Sequence, residues 1–278
     1  MENWELDFWN KEADKYQKTV GSEDEDEYPQ RLEHYLAGKG ALQPGSCVAD
    51  IGCGAGKYAI RFAKRGCDLI LTALSPRMLQ YAAKNLSGFS VKRSVTEGDF
   101  SIIDVRREGW IKKCGLAFAN MSPAVRDKET LEKMCQISKK HCFVSKFSSV
   151  RNSLGENVFQ AFGIPGQQKK FREYEEVLRA VRELGYFPEL TLVKYTWRNR
   201  CSVDEAVQQS LKLLGESGFA RGVLEESQGM RRSLDLLGKN SEKKEEKVRE
   251  ILQGLADCSG IIQEQVTAEA AWIYWQVD

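Results

Sequence analysis

Val48-Ala49-Asp50-Ile51-Gly52-Cys53-Gly54-Ala55-Gly56 is the stretch that decides how this chain of 278 residues is read. A short apolar run ends in a carboxylate and gives way to glycine at every second position. A helical pattern with Ala59, Ile60 and Ala63 on one face follows, and Gly66 can stop it. Strand, bare turn and helix form the unit with which an open parallel sheet binds a nucleotide-like ligand, outside the carboxyl ends of its strands. Gly52, Gly54 and Gly56 let a ligand approach the backbone, and the new helix aims unsatisfied N–H groups at the same place. The spacing then separates two kinds of ligand. A dinucleotide site sets its third glycine three residues beyond the second, so that a pyrophosphate rests on the helix N-terminus. Here that interval is two residues and Asp50 precedes it. Such a turn repels a diphosphate and attracts an ammonium group. A glycine-rich turn with a purely structural purpose is the plainer alternative.

Outward from this turn, apolar runs alternate with amphipathic stretches, as a parallel sheet covered by helices requires. Strands are expected at 47–51, 68–74, 91–95, 116–119, 142–147, 188–197 and 266–277. Ser75-Pro76 supplies an N-cap and a proline at the first helical position. Met78, Leu79, Ala82, Ala83 and Leu86 then recur at helical spacing, as do Leu131, Met134, Cys135 and Ser138 further on. Residues 148–168 are polar and contain glycine, and read as an irregular insertion; 171–184 read as a helix closed by Gly185. A long helical stretch at 203–256 precedes the last strand. The expected organisation is a helical cap at 1–40, a main domain at 41–202 and 257–278, and a helical insertion at 203–256.

Lys plus Arg total 41 and Asp plus Glu 40, a formal net charge of +1. Nucleic-acid binding draws its affinity from a basic excess or stripe, so the mixed charge argues against a nucleic-acid partner and for a small-molecule substrate. No apolar run approaches the ~20 residues that cross a bilayer, and Met1-Glu2-Asn3-Trp4-Glu5 lacks the layout of a signal peptide. The eight cysteines form no CxxC pair, which points to a reducing cytoplasm and to no metal centre.

The quoted stretch resembles the first motif of the class I S-adenosylmethionine-dependent methyltransferases, of the broad small-molecule kind. Thr72-Ala73-Leu74-Ser75-Pro76-Arg77-Met78-Leu79 resembles the segment after that family's second strand, and Glu97-Gly98-Asp99-Phe100 is similar to its loop after the third. The resemblance covers residues 40–148 well and the final strands loosely. It implies an α/β fold with a Rossmann-like sheet of seven strands, mostly parallel with the last antiparallel. It also implies S-adenosyl-L-methionine as cofactor. Asp50, Gly52, Cys53, Gly54 and Gly56 would hold the methionine end, and Ala73, Leu74 and Ser75 would lie along the ribose. Asp99 would meet the adenine amino group, Phe100 would contact the ring, and Asn120 would line the methyl-donor side. The N-terminal stretch carrying Trp4, Phe8, Trp9 and Tyr16 would cover the cofactor, with Tyr16 reaching it.

One position departs from the pattern. The family usually places an acid for the ribose hydroxyls where this chain has Ala73. Ser75, a backbone group or an inserted residue takes over, or the cofactor is held weakly, is modified, or is bound without catalysis. A catalytically inactive binder and a nicotinamide-dependent oxidoreductase are the alternative functions. Asn120-Met121-Ser122-Pro123 only partly matches the Asn-Pro-Pro-aromatic motif of amide and adenine methyltransferases, so that substrate class is not carried over. A general base is needed only where the acceptor holds its proton. His34 and His141 both read as structural, and no catalytic base stands out.

Overall fold

The computed structural model describes residues 3–21, 27–164, 169–216 and 241–277. The chain divides into two compact units. One comprises Met1–Ser148, Phe171–Tyr195 and Glu269–Asp278, the other Ser149–Lys170 and Thr196–Ala268.

The first unit opens with α1 (Asn3–Lys18) and α2 (Glu27–Gly38). It continues with β1 (Cys47–Ile51), α3 (Lys57–Lys64), β2 (Asp68–Ala73), α4 (Pro76–Asn85), β3 (Arg93–Glu97), β4 (Cys114–Asn120), α5 (Lys128–Ile137) and the start of β5 (Ser138–Asn152). After α6 (Ser153–Ala161) and the short β6 (Lys169–Lys170) come α7 (Glu173–Glu183), β7 (Glu189–Ser202), α8 (Val203–Glu216), α9 (Ser241–Gln253) and β8 (Ile261–Gln276). The strand order is β3-β2-β1-β4-β5-β8-β7. β1 lies parallel to both β2 and β4, and β4 parallel to β5. β8 runs the other way. Val277 N donates to Lys140 O at one end of its pairing with β5 and Ser148 Oγ to Glu269 Oε1 at the other, so numbers fall on β8 as they rise on β5. The expected Rossmann-like sheet, mostly parallel with its last strand antiparallel, is therefore present.

Alternation along the strands fills both faces of this sheet, which is why the runs read as nearly all apolar. Val48, Leu69, Leu71, Leu116 and Phe118 join one core with α2, α3 and α4. Ala49, Ile70, Ala117 and Val144 join the opposite core with α5 and α7. Phe118 and Phe143 stack with centroids 5.4 Å apart, and each such fully buried side chain stabilises the fold by about 1.5–3 kcal/mol. The second unit has its own core, in which Leu154, Val158 and Phe159 of α6 meet Val207 of α8 and Val248 and Leu252 of α9.

Several boundaries differ from expectation. Residues 148–164 are not irregular: β5 runs on to Asn152, whose side-chain oxygen caps α6 by accepting from Gly155 N at 2.7 Å. The cap and one apolar face suffice for a nine-residue helix, although serines and asparagines dilute the pattern. Residues 165–168 lie outside the described set. β3 sits two residues later than expected because it is the outermost strand of the order and mostly exposed, leaving hydrophobicity little to mark its ends. Of the expected helical stretch at 203–256, α8 and α9 are described and 217–240 lie outside the described residues.

Candidate active site

The order β2-β1-β4 places the reversal of the sheet between β1 and β4, so a crevice opens where their carboxyl ends diverge. The turn after β1 forms one wall. Gly52 N donates to Thr72 Oγ1 (3.3 Å) and Cys53 N to Thr72 O (2.9 Å), which ties the turn to β2. Gly52 and Gly56 have φ of 74° and 87°, left-handed values that side chains resist. The reason they must be bare is packing on this chain. A Cβ on Gly52 would stand 2.0 Å from Ser122 Oγ, and one on Gly56 would stand 3.2 Å from Cα of Ala82 on α4. At Gly54 the nearest atom to such a Cβ is Met78 Sδ at 4.0 Å. Cys53 is buried, with its thiol against Gly54 O.

Asp50, the last residue but one of β1, lies behind this turn at 3% exposure, and its Oδ2 has no hydrogen-bond partner among the described residues. Burial pushes the carboxyl up to about 7, because a lone charge in a poorly solvated place is disfavoured. A buried acceptor left unmade costs about 1–3 kcal/mol. A cationic group seated there would remove that cost.

At the end of β2, Ala73 offers only a methyl group to the core while its carbonyl accepts from Gly98 N (3.0 Å). Leu74 is half-buried. Ser75 caps α4, accepting from Met78 N (3.1 Å), and donates to Asn10 Oδ1 on α1 (2.6 Å). Asn10, Asp14 and Gln17 share one face of α1. Asp14 pairs with Arg77 (2.7 Å) and also meets Tyr81. Gln17 exchanges hydrogen bonds with Asn85, which in turn donates to Ala55 O (2.9 Å). These contacts hold α1 against α4 beside the turn. Tyr16 lies on another face, 42% exposed, with its ring edge-on to Trp9.

After β3, Asp99 is nearly buried. Burial raises its pKa, but the Ser101 N–H and hydroxyl and the Arg126 guanidinium outweigh that and hold it below the usual carboxylate range. Oδ1 accepts from Ser101 N (2.8 Å) and Oδ2 from Arg126 (3.0 Å), so both oxygens already have partners. The Phe100 ring lies in the core with Ile103 and Trp110.

The carboxyl end of β4 and the middle of β5 beside it form the other wall. Trp272 Nε1 donates to Tyr28 Oη (2.9 Å), Tyr28 Oη to Asn120 Oδ1 (3.0 Å), and Ser145 Oγ to the same Oδ1 (2.7 Å). With its oxygen occupied, Asn120 presents its amide N–H groups. Lys146, also buried, donates to Ser122 O (2.9 Å). Tyr28, Ser145, Lys146 and Trp272 are not among the site residues expected from the sequence. The one available signal was a lysine inside the apolar run Cys142-Phe143-Val144-Ser145-Lys146-Phe147. His141 is bonded to Tyr274 Oη (2.7 Å) within the sheet, and His34 is exposed on α2.

With this geometry in place, residues 48–139 match the family model described as a methyltransferase domain. An uncharacterized protein of Haemophilus influenzae is 25% identical over 239 residues, 84% of this chain and 82% of that protein. Among solved structures, magnesium protoporphyrin IX methyltransferase from Synechocystis with bound SAM aligns with a TM-score of 0.46 at 14% identity, covering 68% of this chain and 88% of that one. The precorrin 8w decarboxylase of Methanobacterium thermoautotrophicum aligns with a TM-score of 0.47 at 12% identity, covering 88% and 89%.

Proposed function

From the premise of a methyltransferase domain over residues 48–139, we propose that this chain moves a methyl group from S-adenosyl-L-methionine to a small-molecule acceptor. The observation that carries the reading is the unpartnered, buried Oδ2 of Asp50 behind a side-chain-free turn at the reversal of the sheet. Bound there, the cofactor supplies an electrophilic methyl group on a sulfonium. Asp50, deprotonated, would hold the ammonium of the methionine end, and the first N–H groups of α3 would suit that end's carboxylate. Gly52, Cys53, Gly54 and Gly56 line that end. Asn10 and Ser75, linked to each other, stand where Ala73 offers no acid and take the ribose hydroxyls. Asp99, Phe100 and the backbone around them border the adenine, and Asn120 lies toward the methyl group. Holding donor and acceptor in line supplies much of the acceleration of such a displacement.

A reducing cytoplasm suits the eight cysteines, all of which carry free thiols. Among the described residues no helix is long and apolar enough to cross a membrane. In this reading 1–40 cap the cofactor and 203–256 are an insertion before the last strand. Calorimetry with S-adenosylmethionine, S-adenosylhomocysteine and NAD tests the assignment. The first two bind; binding of NAD alone would overturn it. Transfer of a labelled methyl group to a pooled metabolite extract then separates an enzyme from a silent binder.

A further inference from the structure

We propose that the methyl acceptor is a carboxylate held by the amide nitrogen of Asn120; the proposal rests on the methyl-transfer reading and deepens it. Asn120 lies two residues beyond Phe118, which stands opposite Asp50 in the register of β4 on β1. Residues paired across a sheet, and residues two apart along a strand, share a face. The Asn120 amide and the Asp50 carboxyl are therefore on the same face, at the carboxyl ends of the two strands between which the crevice opens. Tyr28 and Trp272, which belong to the same core as Phe118, are on that face too.

Which way the amide is turned follows from counting donors. The Trp272 indole N–H and the Met121 backbone N–H can only donate. The first goes to Tyr28 Oη (2.9 Å) and the second to Ser145 Oγ (3.1 Å). Each hydroxyl in turn donates to Oδ1 of Asn120, at 3.0 and 2.7 Å. Reversing the amide would set Nδ2 against the buried Ser145 hydroxyl, whose hydrogen would lose its acceptor. The oxygen is thus drawn toward β5, on the far side of β4 from β1, and the nitrogen is left on the crevice side. Among the described residues Nδ2 bonds to no protein group, and Asn120 is half-buried rather than sealed.

An amide that offers only donors selects its occupant. An amine has one lone pair. Engaged by Nδ2, that pair can no longer attack the methyl carbon, and the amine's own N–H groups would meet N–H. A carboxylate accepts from Nδ2 through one oxygen and reacts through the other. A lone pair of the second oxygen forms the bond to the methyl carbon, and the old carbon–sulfur pair stays on sulfur as a neutral thioether. No proton changes hands, so the reaction needs no base. An anion and a sulfonium become two neutral products, a change that a poorly solvated crevice favours.

The test uses S-adenosylmethionine labelled in its methyl group and one metabolite extract, split by ion exchange at neutral pH into acidic and basic fractions. The wild type labels the acidic fraction, and mild alkali releases the label as methanol, as it does from a methyl ester. Label confined to the basic fraction, or stable to alkali, would overturn the proposal. Asn120→Asp keeps an oxygen for Tyr28 and Ser145 but turns a negative oxygen, in place of the donor, toward the crevice. Its initial rate with the acidic fraction should fall by at least about tenfold, while S-adenosylhomocysteine binds as before. An undiminished rate would sink the idea, and so would a matching loss of S-adenosylhomocysteine, which would assign Asn120 to the cofactor instead. If no fraction is labelled, or if neither S-adenosylmethionine nor S-adenosylhomocysteine binds the wild type, the methyl-transfer reading falls and takes the proposal with it.

Discussion

The two walls of the crevice are built by different means. On the β1 side the wall is backbone, a turn with three left-handed glycines in which Gly52 N is tied to Thr72, Gly56 N to Cys53 O, and the carbonyl of Ala55 to Asn85. On the β4–β5 side it is side chain, with Trp272, Tyr28, Asn120 and Ser145 joined in one hydrogen-bonded chain. A backbone wall recognises what every cofactor molecule shares and tolerates little change. A side-chain wall can be rebuilt one residue at a time, so in the proposed function it is where the choice of acceptor would reside.

The most forceful way to break this contrast is Gly52→Val. Its Cβ would collide with Ser122 Oγ at a backbone conformation unsuited to a branched residue. Overpacking and strain together cost about 2–6 kcal/mol. Calorimetry should show binding of S-adenosylhomocysteine reduced by a hundredfold or more, about 3 kcal/mol, and Ser122→Gly in the same chain should restore part of it. Wild-type affinity in the single variant would mean that the turn is not a wall of the site.

Asp50→Asn should weaken S-adenosylmethionine by about 1–3 kcal/mol through the lost charge-assisted contact. The same variant should be the more stable protein at alkaline pH. The sign follows from the raised carboxyl: the folded chain keeps its proton up to about 7, whereas the unfolded chain loses it near the ordinary value of about 4. Wild-type stability therefore falls relative to the variant as pH climbs across that window, then stays level. Melting temperatures of both proteins from pH 4 to 9 check it.

Tyr28→Phe probes the opposite wall. It leaves the buried Trp272 N–H and one acceptor site on Asn120 without partners, at about 1–3 kcal/mol of stability. Denaturant unfolding should report that loss while S-adenosylhomocysteine binds as before. A matching loss of affinity would blur the division between the walls. Smallest is Ser75→Ala, which removes the cap of α4 and the tether to Asn10. It should cost about 1 kcal/mol of stability and weaken the adenosyl ligand a few-fold.

The same division explains what was legible beforehand. Asp50 and the glycines are neighbours in sequence, and their spacing carries both the turn and the charge preference. The start of α4 was equally local, written in Ser75-Pro76. Tyr28, Asn120 and Trp272 come from three distant parts of the chain, and nothing near any one of them announces the other two. The role of the glycines also looked different from sequence. Gly52 and Gly56 are bare because Ser122 and Ala82 press on them, a demand made by residues far along the chain. Asn10 was invisible for the same reason, since only the fold brings α1 to Ser75.

The lone carboxyl behind the turn has a thermochemical consequence. Near or below pH 7, seating a cation against Asp50 expels its proton into the solution, where the buffer must absorb it. The measured heat of association then includes the buffer's own protonation enthalpy, and titrations in Tris release more heat than identical ones in phosphate.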